Sequence, residues 1–229
     1  MVIAYLYGDL LNLYGNDGNI KILAQKLTEA GVKAEIRNIS TEDKLDFSEY
    51  DMVYMGSGTE ENQKIAIKAL KPYKEEIEAA VDKGKLFLIT GNSPDIFGQK
   101  LDGVNIVEDV KGLGVFDYYS EYVPRIKMMY RNNDTFLDDP VLGFLNHNYR
   151  IKDNKNPLFG SDDVRVNNFF GTHLEGPVLI RNPHFLKFIL SILIGSTDAV
   201  EKIDFEMEKK AYDAYMSLLV SDGGDKNIF

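Results

Sequence analysis

The sequence predicts an α/β fold in which helices cover both faces of a central, mostly parallel sheet. Over the first hundred residues, short apolar runs and amphipathic helical stripes follow the order strand, helix, strand, strand, helix, strand, helix. This order is typical of a parallel sheet with helical crossovers. Glycine also stands where the first two helices should end, at Gly31 and Gly84.

The spacing of the apolar residues gives the individual elements. Strands are predicted over residues 2–7, 32–39, 50–55 and 86–90, and helices over 20–31 and 60–83. Pro72 predicts a kink or break in the second helix, because proline lacks the backbone N–H that a helix interior needs. The second half predicts short strands over 104–107, 113–118, 125–130, 141–146 and 164–170, then helices over 183–194 and 205–219. We predict a single domain over residues 1–220 and a flexible tail over 221–229.

The composition excludes several classes of function. The 229 residues contain no cysteine, which excludes disulfides, thiolate zinc sites and cysteine nucleophiles together. The net charge of −10 would repel a phosphate backbone, so we expect no nucleic-acid partner. The longest apolar stretch, residues 185–194, is about half the ~20 residues that a membrane span needs. We expect a cytoplasmic protein with no membrane span, no metal site and no cofactor.

The fourth strand runs directly into Thr90-Gly91-Asn92-Ser93-Pro94, and a helix is predicted to start at once. This pattern is typical of a nucleophile elbow, a sharp turn that presents a catalytic Ser or Cys at the end of a sheet. The central residue of such a turn is strained, and glycine adopts that conformation at no steric cost. Here the centre is Gly91, so the sequence predicts a catalytic turn without its nucleophile.

Three loops should meet at one edge of the predicted sheet: residues 8–19, 56–60 and 90–95. In parallel sheets, ligands bind beyond the carboxyl ends of the strands, and all three loops follow such ends. Gly56 and Gly58 lie in the second loop, where glycine can also serve only to make the turn. The sequence therefore places a candidate ligand site at this edge.

Five short motifs stand in order along residues 1 to about 180: Leu11-Asn12-Leu13-Tyr14-Gly15-Asn16-Asp17-Gly18-Asn19, Gly56-Ser57-Gly58-Thr59, Gly112-Leu113-Gly114-Val115-Phe116-Asp117, Gly143-Phe144-Leu145-Asn146-His147 and Gly171-Thr172-His173-Leu174-Glu175-Gly176-Pro177. Together they resemble the motifs of the CobB/CobQ-like class I glutamine amidotransferases. Within that family they are closest to the glutaminase (GatD-type) subunit of lipid II isoglutaminyl synthase, which acts in peptidoglycan biosynthesis. The resemblance implies an amidotransferase-like α/β domain.

The resemblance also implies a division of labour between subunits. In the family, a cysteine at the elbow attacks the side-chain amide of glutamine, and a histidine relays the proton. Backbone N–H groups hold the developing oxyanion. The released ammonia passes to a partner, which in the lipid II complex is a Mur-ligase-like ATP-dependent protein. A Mur-ligase-like partner, and glutamine or a related small molecule as ligand, are thus implied for this chain.

Both catalytic positions of the family are substituted here. The family's cysteine falls on Gly91, or on Thr90 if one gap is allowed, and its histidine falls on Glu175. The two members of such a dyad act as a unit, so the loss of either should cost several orders of magnitude in rate. The sequence therefore predicts that ordinary glutamine hydrolysis is lost.

The resemblance carries four residues to the substrate-binding region: Gly56, Gly58, Asn92 and Arg125. The match at Arg125 is loose, and a solvated arginine is an equal interpretation.

Ser93 is open to two interpretations. Ser93, Pro94 and Asp95 have the residue types of a helix N-cap, first helical position and first-turn acid, which is the interpretation we favour. Alternatively, Ser93 is a substitute nucleophile. His173 and Glu175 are two residues apart, so on a strand they would share a face and could complete a triad.

Three hypotheses of function follow. The leading one is a degenerate, non-hydrolysing subunit that binds a Mur-ligase-like amidating partner. The alternative is an active amidohydrolase or glutaminase that uses Ser93, His173 and Glu175 in cell-wall precursor or cobyric-acid-type amidation. The third is a sensor that binds a carboxamide in the vacated pocket. His147 and His184 have no metal-ligand spacing, so we interpret both as packed or exposed side chains.

Overall fold

The computed structural model of the chain describes residues 1–103, 109–132 and 136–221. The strands are β1 (Val2–Leu6), β2 (Glu35–Ile39), β3 (Met52–Met55), β4 (Leu86–Thr90), β5 (Lys100–Leu101), β6 (Val110–Lys111), β7 (Tyr119–Asn132), β8 (Val141–Lys152), β9 (Val164–Val166) and β10 (Phe169–Thr172). The α-helices are α1 (Gly18–Glu29), α2 (Glu60–Leu70), α3 (Lys74–Asp82), α4 (Val178–Arg181), α5 (Pro183–Ile194), α6 (Thr197–Val200) and α7 (Glu206–Ser221). Short 3₁₀ turns cover Lys71–Tyr73 and Ser93–Phe97.

The larger sheet confirms the predicted fold class. Its six strands have the order β2-β1-β3-β4-β10-β9. Every neighbouring pair is parallel except β9 with β10, which is antiparallel. The chain is therefore an α/β protein with a central, mostly parallel sheet.

Alternate strand residues feed two cores, one on each face of this sheet. In β1, Ala4 and Leu6 pack into the core beneath α2 and α3, whereas Ile3 and Tyr5 pack into the core beneath α1, α4 and α5. Successive side chains of a strand point to opposite faces, so a strand that is covered on both sides is apolar throughout. This is why the short apolar runs of the sequence predict β1, β3 and β4 correctly.

The helix boundaries agree with the local sequence signals. Gly31 has a left-handed φ of 77° just after α1, and Gly195 has 73° just after α5. The Thr59 hydroxyl accepts the backbone N–H of Asn62 and so caps α2. At Pro72 the predicted helix over 60–83 divides into α2, a 3₁₀ turn and α3.

The structure differs from the prediction at several points. Residues 113–118 form bends, not a strand, because the N–H groups of residues 113–116 donate to carbonyls of residues 96–98. The run predicted over 164–170 forms a hairpin of β9 and β10, which turns at Asn167 with φ 52°. A 3₁₀ turn, not an α-helix, follows the elbow. The strand predicted over 104–107 lies outside the described residues, as does the predicted tail except Ser221, which ends α7.

A second, smaller sheet supports the candidate site. It has the order β6-β5-β7-β8, and β7 and β8 form an antiparallel hairpin that is longer than predicted. Leu145 of β8 bridges to Leu174, and the N–H of Glu175 donates to the carbonyl of Phe144 at 2.8 Å. These contacts fix the segment that follows β10. Among the described helices, none is both long and apolar enough to cross a membrane.

Candidate functional site

The predicted elbow is present at the carboxyl end of β4. Every residue of β4 is buried, and the strand ends directly at Gly91, which has a left-handed φ of 68°. The Gly91 N–H donates to the Leu174 carbonyl at 3.1 Å. A residue with a side chain would be strained at this φ, and this agrees with the elbow geometry expected from the sequence.

Two side chains fill the space beside Gly91. A Cβ at this position would lie 2.2 Å from Ser57 Cβ and 2.7 Å from Glu175 Oε2. Carbon atoms at contact are normally 3.5–4.0 Å apart, so both neighbours would have to move. The place where an elbow side chain would project is therefore occupied by a serine from the loop after β3 and by a glutamate from the segment after β10.

Ser57, Glu175 and Asn16 bond to one another in this place, and with Gly91 we call them the elbow cluster. The Ser57 Oγ lies 2.6 Å from Glu175 Oε2 and 3.1 Å from Asn16 Oδ1. Ser57 is 1 % exposed and Glu175 is 2 % exposed. Burial raises the pKa of Glu175 to about 7, against the opposing effects of the Ser57 hydrogen bond and the charge of His173.

Hydrogen bonds join the loop before α1 to the strands next to the elbow cluster. Asn16 Nδ2 donates to Thr90 Oγ1 at 3.3 Å, and Tyr54 Oη donates to the Asn16 carbonyl at 2.7 Å. Asn19 Nδ2 reaches the Tyr54 hydroxyl at 2.8 Å. A buried polar network of this kind is stabilising only when its members are paired, as they are here.

Gly56 and Gly58 are required by close packing. A Cβ on Gly56 would lie 2.5 Å from the Leu11 carbonyl oxygen, and one on Gly58 would lie 2.9 Å from the Leu10 carbonyl oxygen. The predicted meeting of the loops over 8–19 and 56–60 is thus correct.

Asn92 bonds to the same glycine-rich loop with its own carboxamide. Its Oδ1 accepts the Gly58 N–H at 3.1 Å, and its Nδ2 donates to the Gly58 carbonyl at 2.8 Å. Gln63 Nε2 donates to the Asn92 backbone carbonyl. Free backbone N–H groups are what an oxyanion site needs. Here the N–H of Gly58 already has a partner inside the protein.

The structure does not join Ser93, His173 and Glu175 by hydrogen bonds in the described part of the chain. The Ser93 hydroxyl donates to the Gly56 carbonyl at 2.5 Å. It does not cap the following turn, so the capping interpretation is wrong. His173 pairs with Asp95, and Glu175 pairs with Ser57.

His173 lies in a second buried group, with Asp95, His147 and Asp163, which we call the histidine cluster. His173 Nε2 is 3.0 Å from Asp95 Oδ1, and the His173 backbone N–H donates to Asp163 Oδ1 at 2.9 Å. The His147 ring stacks on the His173 ring, with the two ring centres 4.4 Å apart. The expectation that His147 is a packed side chain agrees with this stacking.

Arg125 lies away from the elbow. It is exposed, and its Nε donates to Asn146 Oδ1 at 2.8 Å. Asn146 donates in turn to the Tyr14 hydroxyl, and the Tyr14 backbone N–H reaches Asn16 of the elbow cluster. The link between Arg125 and the site therefore passes through two intermediate residues.

The sequence did not single out Ser57, Asp95 or Asp163 as site residues. Ser57 stands inside a glycine motif, and a side chain between two close-packed glycines is a usable signal. No local signal predicts that Ser57 reaches Glu175, because the two are 118 positions apart. Among the described residues, no group of three His, Cys, Asp or Glu side chains is placed to hold a metal ion.

Comparison with known proteins places this geometry in a family. The model of the CobB/CobQ-like glutamine amidotransferase domain matches residues 2–182. One similar protein is the subunit GatD of lipid II isoglutaminyl synthase (glutamine-hydrolyzing) from Streptococcus pneumoniae (strain ATCC BAA-255 / R6). It is 27% identical over an alignment 240 residues long, and the alignment covers 96% of this chain and 88% of that protein.

Two further proteins are similar. The same subunit from Staphylococcus aureus (strain N315) is 27% identical over 207 residues, covering 83% of each chain. A glutamine amidotransferase of Thermotoga maritima, solved by crystallography, has 14% identity and a TM-score of 0.47, with 96% of this chain and 94% of that chain covered. The family match spans most of the chain and contains both the elbow and the segment after β10. This chain belongs to the CobB/CobQ-like glutamine amidotransferase family.

Proposed function

We propose that this chain is a degenerate glutamine amidotransferase-like subunit, which does not hydrolyse glutamine and instead binds a Mur-ligase-like amidating partner. One observation carries the loss of hydrolysis: Ser57 and Glu175 occupy the space into which a nucleophile at Gly91 would project. The chain also contains no cysteine.

The family's chemistry needs a nucleophile, a proton relay and oxyanion donors, and the elbow offers no free group for any of the three. A nucleophile must reach its substrate, but the Ser57 hydroxyl is buried and bonded to Glu175 and Asn16. A proton relay is most often a histidine, and the family's histidine position holds Glu175. An oxyanion needs unpaired N–H donors, but Asn92 already accepts the N–H of Gly58. All three observations support the proposal that the chain does not hydrolyse glutamine.

Two observations support the partner. The relatives that align over most of this chain are both named as subunits. Exposed apolar side chains also border the elbow: Leu13 and Tyr14 on the loop before α1, and Ile180 in α4. Ile180 lies against the first residue of α1, directly after this loop, since a Cβ on Gly18 would lie 3.5 Å from Ile180 Cδ1. Neighbouring exposed apolar residues often mark a protein interface.

The first test measures ammonia released from glutamine by the purified chain, with and without a candidate Mur-ligase-like partner. We expect no release above a protein-free control under either condition. Ser93→Ala and Ser57→Ala are measured in parallel. Release that either substitution abolishes would mean that a serine has replaced the cysteine, and the proposal would be wrong.

A reconstruction tests why hydrolysis is absent. The triple variant Gly91→Cys, Ser57→Gly, Glu175→His restores a thiol, clears the space beside it and supplies a histidine. Its thiol should react with a disulfide reagent much faster than the thiol of Gly91→Cys alone, in which Ser57 still fills the space. Equal thiol reactivity in the two variants would show that the elbow is not blocked by Ser57 and Glu175.

The partner is tested separately by co-elution with a purified Mur-ligase-like protein on size exclusion. Leu13→Asp and Ile180→Asp should abolish co-elution. Met207→Asp is the matched control, because Met207 is an exposed apolar residue of α7, distant in sequence from the elbow loops. Loss of co-elution in Met207→Asp, with retention in the other two, would place any interface elsewhere.

A further inference from the structure

A cavity of about 140 Å³ opens beside the histidine cluster. It is lined by Leu145, His147, Gly160, Ser161, Asp162, Asp163 and His173. None of the side chains of the elbow cluster lines it. Its polar side chains decide what it can bind.

His173 is a cation. Its Nδ1 lies 2.7 Å from the Asp162 carbonyl and its Nε2 lies 3.0 Å from Asp95 Oδ1, and neither of these oxygens can donate a hydrogen. Both ring nitrogens must therefore carry a proton. Burial alone would lower the pKa of His173, but the charge of Asp95 and its hydrogen bond raise that pKa to about 9.

His147 is neutral, and one of its nitrogens is left as an acceptor. Its Nδ1 lies 2.6 Å from the Tyr149 carbonyl, so Nδ1 carries the single proton. Burial, together with the charge of the stacked His173, lowers the pKa of His147 to about 3. His147 is only 5 % exposed and lies on the cavity wall, and its Nε2 has no hydrogen-bond partner within the described residues.

The charges around the cavity favour a cation. The His173 cation is balanced by Asp95, which leaves the carboxylates of Asp162 and Asp163 on the wall. Arg150 lies 3.8 Å from Asp162 and offsets one negative charge. Burial raises the pKa of Asp163 to about 6, so this carboxylate is ionised at pH 7.5. One negative charge remains without a counter-charge.

We propose that this cavity binds a small monovalent cation that carries N–H donors, namely ammonium or methylammonium. The His147 Nε2 and the Asp163 carboxylate accept its hydrogens. A water molecule takes about 30 Å³ in the liquid, so a cavity of 140 Å³ holds such an ion with a few waters. The site stands independently of the elbow and of whether glutamine is hydrolysed.

Other ligand classes fit less well. A divalent transition metal needs three or more ligands of the His, Cys or carboxylate type, and none of the described residues forms such a group. An anion would meet the carboxylates of Asp162 and Asp163, and the His173 cation on the wall is already paired with Asp95. An alkali cation would not use the directional lone pair of the His147 Nε2.

The test is isothermal titration at pH 7.5 and constant ionic strength with ammonium chloride and methylammonium chloride. Sodium chloride and tetramethylammonium chloride are the controls, because neither cation has an N–H donor. We expect saturable binding of the first two salts in the millimolar range and none of the controls. No saturable heat with ammonium at ~100 mM, or equal heat with tetramethylammonium, would overturn the proposal.

Variants locate the binding. His147→Phe keeps a flat ring on His173 but removes Nε2, and Asp163→Asn removes the charge. Each should weaken ammonium binding by at least ~10-fold. Asp153→Asn is the matched control, an exposed residue of the turn after β8 with φ 58°, which asparagine tolerates. Unchanged affinity in His147→Phe, or equal loss in Asp153→Asn, would contradict the site.

A measurement on the unmodified protein covers the case in which a variant does not fold. In the ¹⁵N spectrum of the histidine side chains, the His147 Nε2 signal should shift as ammonium is added, because this nitrogen gains a hydrogen bond. The His173 signals should stay those of a doubly protonated ring. A His147 signal that does not move at saturating ammonium would overturn the proposal.

Discussion

The elbow cluster and the histidine cluster lie two residues apart at the end of β10, and they are built in opposite ways. In the elbow cluster, Glu175 bonds to Ser57 and the side chains fill the space between them. In the histidine cluster, both ring nitrogens of His173 are hydrogen-bonded, whereas His147 keeps Nε2 as a free acceptor. A cavity remains beside the two rings.

This difference teaches how side chains fill the space at the end of a sheet or leave it open. Two short side chains from separate loops, Ser57 and Glu175, close the elbow by bonding to each other. Aromatic rings cannot close a site in this way, because their nitrogens accept and donate only in the ring plane. The stacked pair of His147 and His173 therefore leaves an in-plane acceptor beside a void.

The largest effect should come from removing the counter-charge of the histidine cluster. Asp95→Ala leaves the buried His173 cation without its carboxylate, and breaking a buried pair in this way costs about 3–5 kcal/mol. Urea unfolding at pH 7 measures the loss. Asp95→Asn is the companion variant: its carbonyl oxygen still accepts from His173, so its loss of stability isolates the effect of the charge. A loss below about 1 kcal/mol in Asp95→Ala would show that His173 is not held as a cation.

The second prediction tests whether the elbow is full. Gly91→Ala combines a left-handed φ with a collision at Ser57 and should lower the free energy of unfolding by about 3 kcal/mol. Gly31→Ala is the matched control: its φ is 77°, but nothing lies within 4 Å of the new Cβ. It should cost about 1–2 kcal/mol. Urea midpoints compare the two.

The double variant Gly91→Ala, Ser57→Gly separates strain from collision. Its stability should recover part of the way toward that of Gly31→Ala, because the contact with Ser57 is gone while the backbone strain and the contact with Glu175 Oε2 remain. Equal losses in Gly91→Ala and Gly31→Ala would mean that the elbow has room for a side chain, and the contrast between the two clusters would fail.

The fold was largely predictable from the sequence. The central strands β1, β3 and β4 are buried on both faces, so their apolar runs mark them locally, as Gly31, Gly84 and Pro72 mark the helix ends and the break. The second half was less predictable, because its strands depend on contacts between distant segments. Residues 113–118 look like a strand, but the N–H groups of residues 113–116 donate to carbonyls of residues 96–98, a contact that no local pattern reveals.

The site was predictable only in part. The elbow, its glycine and the three loops follow from the order of the strands and from the residue types at their ends. The partners of Ser93, His173 and Glu175 do not, because Gly56, Asp95 and Ser57 lie 37, 78 and 118 positions away from them. A sequence motif gives the position of a side chain along an element, whereas its hydrogen bonds depend on how the loops of different elements meet.

The smallest predicted effect is the pH dependence contributed by Glu175. Its pKa of about 7 in the folded protein exceeds the ordinary value of 4.5. The folded protein therefore binds more protons than the unfolded chain between these pH values, and the free energy of unfolding falls as the pH rises through this window. Asp163 and His173 act in the same direction and His147 in the opposite one. Only a difference between variants isolates Glu175.

Glu175→Gln supplies that difference, because glutamine has nearly the same shape and no titration. Between pH 5 and pH 8 the unmodified protein should lose about 2 kcal/mol more stability than Glu175→Gln, as measured by urea unfolding at each pH. Glu42→Gln, at an exposed loop position, should follow the unmodified protein. Parallel curves for the unmodified protein and Glu175→Gln would mean that Glu175 is already ionised at pH 5. The elbow cluster would then hold a buried charge, as the histidine cluster does, and the two clusters would not be built in opposite ways.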